Sequence, residues 1–297
     1  MYGEGMLTFE KISFDKQDAY LEILAEAGTD ASDYSFMNLW GWSEEYSLEW
    51  SWTRDVVWIR QNHPERIYWA PLAKKHVMDW PAQISLLGEK SPSFTRTPHN
   101  ILEIWRDQFK DSLEIRETRG HWDYLYSTKE LIELSGNRYH KKKNLLNQFM
   151  KKYTFEYVDD IGRIIEQTRA MQETWCVWRD CESSEMLSRE NRAVGRILNA
   201  WESLRNTMGG ALTVGGKVVA FSIAECFKPD TLIIHFEKGF TEYAGVYQAI
   251  NQMFLAANSS YSSVNREQDL DEEGLRASKL SYHPQDFVRK YTVDVHF

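Results

Sequence analysis

Apolar positions recur along the chain in two spacings, and the change from one to the other predicts its elements. Tyr20, Ile23, Leu24 and Ala27 repeat at helical spacing over 18–27, and Gly28 ends the run. A second helix is predicted over 34–42, carrying Phe36, Leu39 and Trp40. Strands 47–52 and 56–59 flank Thr53-Arg54-Asp55 as a hairpin, and a further strand runs 66–70 up to Pro71. Helices over 79–87 and 100–109, a short strand near Phe94, and strands 113–117 and 122–126 close this half.

The second half repeats the order. An entry strand at 155–158 precedes helices 161–178 and 185–204. Strands 211–214 and 218–224 flank Gly215-Gly216, which supplies the positive φ of a tight hairpin turn. After the apolar strand 231–236, the helix 245–257 sets Val246, Ala249, Ile250, Met253, Phe254 and Ala257 on one face. A strand at 263–267, a helix at 274–280 and a strand at 287–293 complete it. Strand–helix–strand order forces crossover connections, so the fold class is α/β, a mixed sheet covered by helices, present twice. The repeat rests on element order, since the halves share no visible identity. The domains predicted are 1–127, a basic helical connector at 128–152, and 153–297, which carries the candidate site.

Composition restricts what such a fold serves. The 297 residues are 42% hydrophobic and 14% aromatic, enough for two cores, and most of the 12 Trp read as core filler with a minority free to line a pocket. A net charge of -9 excludes coating nucleic acid through the whole surface, and DNA is not an expected partner. Cys176, Cys181 and Cys226 have no metal-ligand spacing and give no disulfide framework, in keeping with a reducing compartment. No apolar run reaches the roughly 20 residues of a membrane helix. The opening residues lack a signal-peptide layout, and those ahead of Met6 read as a cloning or alternative-start extension. A cytoplasmic protein without membrane insertion is expected.

The densest polar signal lies at 235–238, 265–269 and 274–284, at strand ends where open α/β sheets bind ligands. Alternation along a strand puts His235 and Glu237 on one face, opposite Ile234 and Phe236. Glu237 reads either as a general base toward an amine or as a buried ion-pair partner of Arg266 or Lys279; His235 reads first as a core histidine. Arg266 either clamps an anion through its planar fork or pairs with Glu267 or Asp269. Arg276, Lys279 and His283 fall on one helical stripe, a solvated face or an anion site. The connector concentrates Arg138, His140, Lys141, Lys142, Lys143, Lys151 and Lys152, which read as a solvated face or as a patch steering RNA or a pyrophosphate. No phosphate loop, dinucleotide fingerprint, metalloprotease motif or nucleophile elbow is present, and no metal is expected.

The stretches Leu134–Asn144, His235–Lys238, Gly245–Asn251, Val264–Glu267 with Asp269, and Gly274–Pro284 together resemble a bacterial family of uncharacterised proteins related to the C-terminal domain of phosphatidylglycerol lysyltransferases. The first half resembles it weakly, mainly through Ser35–Trp40. The resemblance implies tandem domains of the GCN5-related N-acetyltransferase (GNAT) type, as in the aminoacyl-tRNA-dependent peptidoglycan transferases. It also implies transfer of an acyl or aminoacyl group to an amine or hydroxyl. Two departures matter. The membrane-embedded region of the lysyltransferases has no counterpart here, which argues against a lipid acceptor. Between the central strand and its helix, Gly239 and Gly245 stand too far apart for a pyrophosphate loop, which favours an aminoacyl-tRNA or other bulky donor over acyl-CoA. No further cofactor is called for. In such a reaction Glu237 takes the proton of the attacking amine, with His235 beside it, and Tyr282 protonates the leaving group. Arg266, Lys279, Lys238, Asn265, Glu267, Asp269 and Arg276 surround the donor, and His140 and Lys141–Lys143 meet its remoter phosphates. The alternatives are a non-catalytic ligand- or RNA-binding module on the same fold, and a scaffold that binds protein through the Trp-rich first half.

Overall fold

The computed structural model describes residues 7–75 and 79–297; the extension read ahead of Met6, and Met6 itself, lie outside the described residues. In chain order the first half forms β1 (Glu10–Lys11), α1 (Gln17–Ala27), α2 (Phe36–Trp42), β2 (Glu49–Trp52), β3 (Val56–Gln61), β4 (Ile67–Ala73), α3 (Trp80–Ser85), β5 (Ser93–Pro98), α4 (His99–Phe109) and β6 (Leu113–Glu117). Then come β7 (Asp123–Ser127), α5 (Thr128–Glu133), α6 (His140–Lys152), β8 (Phe155–Val158), α7 (Ile165–Trp178) and α8 (Glu185–Asn199). The chain continues through β9 (Thr207–Val214), β10 (Lys217–Lys228), β11 (Thr231–Gly239), α9 (Val246–Ala257), β12 (Ser263–Asn265), α10 (Glu273–Leu280), β13 (Asp286–Val288) and β14 (Lys290–Val295).

Two compact units result. The first holds residues up to Asp123 together with Gln268–Glu273 and Phe287–Phe297; the second holds Tyr124–Glu267 and Gly274–Asp286. The last strand of the chain therefore belongs to the first unit, where the sheet order is β1-β2-β3-β4-β5-β14-β6. Val293 pairs with Phe94 on one side and Ile115 on the other, so β14 closes the sheet between two strands of the first half. Trp58, Trp80, Phe94 and Trp105 are fully or almost fully buried beneath it, which accounts for much of the tryptophan content.

At one point of this unit, charge replaces apolar packing. Lys290 is fully buried and donates to Asp33 and, at 2.6 Å, to Asp123. Arg96 donates to Asp33 at 2.7 Å, the Ser32 amide to Asp123 at 2.8 Å, and Gln268 to Asp33 at 2.9 Å. Two carboxylates thus meet two cations, and five separate stretches of chain are tied at one spot. Burial opposes ionisation of Asp33, but Lys290 and Arg96 outweigh it and hold the carboxyl at about 2. Burial, with Arg96 beside it, pushes the neighbouring His121 down to about 3.

Both folded values lie below the unfolded ones, so acid favours the unfolded chain. Stability should fall as pH drops from about 6.5 toward 3 through His121. Below about 4 the loss through Asp33 is opposed by Asp123, whose carboxyl burial holds above its ordinary value. Urea unfolding should show the fall between about 6.5 and 4 in the native protein and not in His121→Gln.

In the second unit the sheet order is β7-β12-β11-β10-β9-β8. Gly215 and Gly216 take φ of 58° and 75°, and Val214 pairs with Lys217, the tight hairpin read from the sequence. Asn251 of α9 and Trp175 of α7 contact adjacent stretches of β11, through Glu237 and Gly239 with Lys238. Successive strand residues point to opposite faces, so α9 and α7 cover opposite faces of the sheet. The helix read over 185–204 stops at Asn199, and the one over 161–178 opens as a 3-10 turn at Ile161–Ile164. The absence of a disulfide is corrected: Cys176 and Cys181 are bonded, their Cα atoms brought to 5.2 Å where α7 ends in a tight turn. Among the described residues no helix is long and apolar enough to cross a membrane.

Candidate active site

The central strand of the second unit loses a neighbour halfway along. β11 and β12 run parallel only over Thr231–Ile233 and Ser263–Asn265, after which β12 ends and the chain turns at Glu267 with φ 55°. From Ile234 to Gly239, β11 keeps its ladder with β10 alone. Side chains of β7, α6, α9 and the segment after α10 gather at this splay.

Glu237 is the centre of the cluster. Its carboxylate accepts from Arg266 and, at 3.1 Å, from Asn251 Nδ2. The side chains are 9% and 16% exposed for Glu237 and Arg266, so this is a largely buried ion pair. Burial pulls the Arg266 guanidinium down, but Glu237, Tyr126 and Tyr282 more than offset it and hold it above its ordinary value. The guanidinium carbon stands 4.9 Å from the Tyr282 ring and 5.8 Å from that of Tyr126. Lys142 Nζ lies 4.1 Å from the Tyr282 ring centre. Burial and then Arg266 lower the Lys142 pKa. Gln248 donates to the Tyr282 hydroxyl at 3.3 Å, and burial raises that phenol so that it keeps its proton. Lys279 donates to the Arg266 carbonyl, fixing the turn that presents the guanidinium. Two cations, Arg266 and Lys142, thus stand against the Tyr282 ring, an arrangement suited to an anionic ligand end.

His235 and Glu237 do not act on common partners. Ile223 pairs with Phe236 and Ala224 with Ile234, so His235 is the extra residue of a bulge that breaks the alternation assumed from the sequence. Its Nδ1 lies 2.7 Å from Glu267, and its Nε2 3.8 Å from Glu225. Asn265 is fully buried and accepts the Glu267 amide at 2.8 Å, shaping the turn. Lys238 points to the other face, paired with Glu190 and set 4.1 Å from the Trp175 ring.

Other residues read as donor contacts fall elsewhere. Asp269 belongs to the first unit, where Arg119 reaches it at 3.2 Å. The stripe of Arg276, Lys279 and His283 is broken because α10 ends at Leu280 and His283 sits at φ 54° beside the Arg138 carbonyl. Arg276 is half-buried on α10. His140, Lys141 and Lys143 are exposed on α6, whereas Lys142 turns inward. Tyr126, Gln248 and Asn251 were missed. A signal existed for two of them: Gln248 and Asn251 are polar residues three apart, set among the apolar Val246, Ala249, Ile250 and Phe254.

The N-terminus of α9 is packed against the protein itself. A Cβ built on Gly245 would lie 2.0 Å from the Leu145 carbonyl oxygen of α6, and Gly245 has φ 85°. The Ala244 amide donates to the Tyr153 hydroxyl at 3.3 Å. Gly245→Ala should cost about 2 kcal/mol or more, through positive φ and overpacking together. Thermal unfolding would measure it, and an unchanged midpoint would contradict this packing.

Comparison with known proteins agrees with this architecture. The family model described as phosphatidylglycerol lysyltransferase, C-terminal, matches residues 25–294. A crystal structure of a conserved protein of unknown function from Bacteroides thetaiotaomicron is similar at 26% identity, covering 98% of this chain and 100% of its own, with a TM-score of 0.90. The structure of L-PGS from Bacillus licheniformis is similar at 13% identity, covering 97% and 93%, with a TM-score of 0.64, which shows a shared fold. An uncharacterised protein of Mycoplasmoides gallisepticum is 25% identical over 261 residues, 84% of this chain and 82% of its own. The fold class expected from the sequence, a mixed sheet covered by helices and present twice, is the fold of the chain and is shared with L-PGS.

Proposed function

Because the chain belongs to the phosphatidylglycerol lysyltransferase C-terminal family, a family of transferases, we propose that its second unit transfers an aminoacyl or acyl group to an amine or hydroxyl at the splay between β11 and β12. The observation that carries this reading is the buried Glu237–Arg266 pair, flanked by Tyr282 and Lys142, where the central strand is left without its parallel neighbour.

In the proposed step the acceptor nitrogen or oxygen attacks the donor's carbonyl carbon. The bond from that carbon to the donor oxygen breaks as the new amide or ester forms. Glu237 takes the acceptor's proton, directly or through water, and Tyr282 supplies one to the departing oxygen. Arg266 stabilises the oxyanion or holds the donor's anionic end. Glu237 is already held by Arg266 and Asn251, which fix where it meets the acceptor, so most of the acceleration comes from positioning.

The sealed α9 N-terminus supports aminoacyl-tRNA over acyl-CoA as donor, and the exposed His140, Lys141 and Lys143 of α6 provide charge for its phosphates. One observation favours the second reading, a non-catalytic binding module: both Arg266 and Asn251 already occupy the Glu237 carboxylate.

Equilibrium binding tests the donor. Charged tRNA should bind where acetyl-CoA does not, and Lys141→Ala with Lys143→Ala should reduce the salt dependence of log K by about 1.5. Binding of acetyl-CoA alone would overturn the donor assignment.

A further inference from the structure

The second unit contains a cavity of about 420 Å³ whose lining includes none of the Glu237 cluster. Trp201, Met208 and Phe254 give it apolar walls, and Asp159, Asp160 and Glu202 give it carboxylates. Among the described residues, no lysine or arginine lines it. The size is that of a small-molecule site rather than a packing defect.

The Trp201 indole and the Asp160 carboxylate both approach Gly162: a Cβ there would lie 2.9 Å from Asp160 Oδ1 and 3.0 Å from Trp201 Nε1. The Gly162 amide donates to Asp160 Oδ1 at 2.8 Å, which holds that carboxylate in place. Arg163 lies 3.4 Å from Asp159 and 3.6 Å from Asp160, and its side chain is 69% exposed. It offsets one of the three negative charges and leaves the cavity acidic. Behind the apolar wall, the Tyr157 hydroxyl is buried without a hydrogen-bond partner, packed where Gly210 and Phe254 meet.

We propose that this cavity binds an organic cation, a primary ammonium carried on an apolar stem. The stem would lie along Met208 and Phe254, and the ammonium would sit between the Trp201 face and the carboxylates, where cation–π attraction and charge pairing act together. This assignment is independent of the transfer chemistry at Glu237.

The test uses the full chain, hexylammonium as probe, and hexan-1-ol and hexanoate as isosteric controls. Calorimetry gives affinity, and the Trp201 indole N–H resonance, assigned through Trp201→Phe, gives location. Hexylammonium should bind at least about tenfold more tightly than either control and shift the Trp201 signal. Asp159→Asn with Glu202→Gln should abolish that preference. Both side chains are exposed, so an unchanged melting temperature would confirm that the variant is folded. Equal binding of hexan-1-ol, a preference that survives in the variant, or no binding of hexylammonium would each overturn the proposal.

Discussion

Neutralising both members of the Glu237–Arg266 pair should recover most of the stability lost by neutralising either one, and should recover none of the transfer activity. The two groups are in contact and largely buried, so Glu237→Gln leaves a guanidinium without its counter-charge. Breaking such a pair from one side costs about 3–5 kcal/mol, whereas removing both charges is often close to neutral. Glu237→Gln, Arg266→Met and the double variant therefore form a cycle with a large coupling in stability. The chemical role follows a different rule. Loss of a proton acceptor or of an oxyanion partner costs about 100-fold or more in turnover, and the second substitution does not replace either. Urea unfolding and initial transfer rates on the same four proteins separate the two roles. A double variant that regained transfer would show that the pair only holds the fold.

Lys290→Met should lower the stability of the first unit by about 3–5 kcal/mol, a large share of what a typical domain possesses. The ammonium is fully buried between Asp33 and Asp123, and without it Arg96 alone faces two carboxylates. Adding Asp123→Asn should return part of the loss, because one carboxylate then balances one guanidinium. Tryptophan fluorescence during urea unfolding is a suitable probe, since the second unit contains only Trp175, Trp178 and Trp201 and the rest lie in the first. A midpoint within experimental scatter of the native protein would show that Asp123 is protonated and the cluster needs no second cation.

Much of this arrangement was legible because it is local. Gly215-Gly216 dictates its turn by backbone freedom alone, and the apolar face of α9 follows from side-chain spacing. The polar strand ends at 235–238 and 265–267 were likewise visible, and the choice offered for Glu237 included its partnership with Arg266. What depends on long-range pairing was not legible. Nothing around Lys290–Val295 indicates that this strand lies between β5 and β6, or that Tyr124–Ser127 lies beside β12 in the second unit. Asp269 stood four residues from Asn265 in sequence yet belongs to the other unit, because the chain turns away after Glu267. A bulge moved His235 away from Glu237, and helix termination at Leu280 removed His283 from its stripe. Register shifts and helix ends of this kind depend on tertiary packing rather than on residue spacing.

The most direct test of the central claim follows a labelled amino acid. The protein would be mixed with tRNA carrying a radiolabelled aminoacyl group and with a panel of amine and hydroxyl acceptors, including phosphatidylglycerol vesicles, and the label traced over a single turnover. The account predicts that label leaves the tRNA for one acceptor class in the native protein, and stays on the tRNA in the Glu237→Gln, Arg266→Met double variant. Label that stays on the tRNA with every acceptor, or that moves equally well in the double variant, would contradict a transfer centre at Glu237.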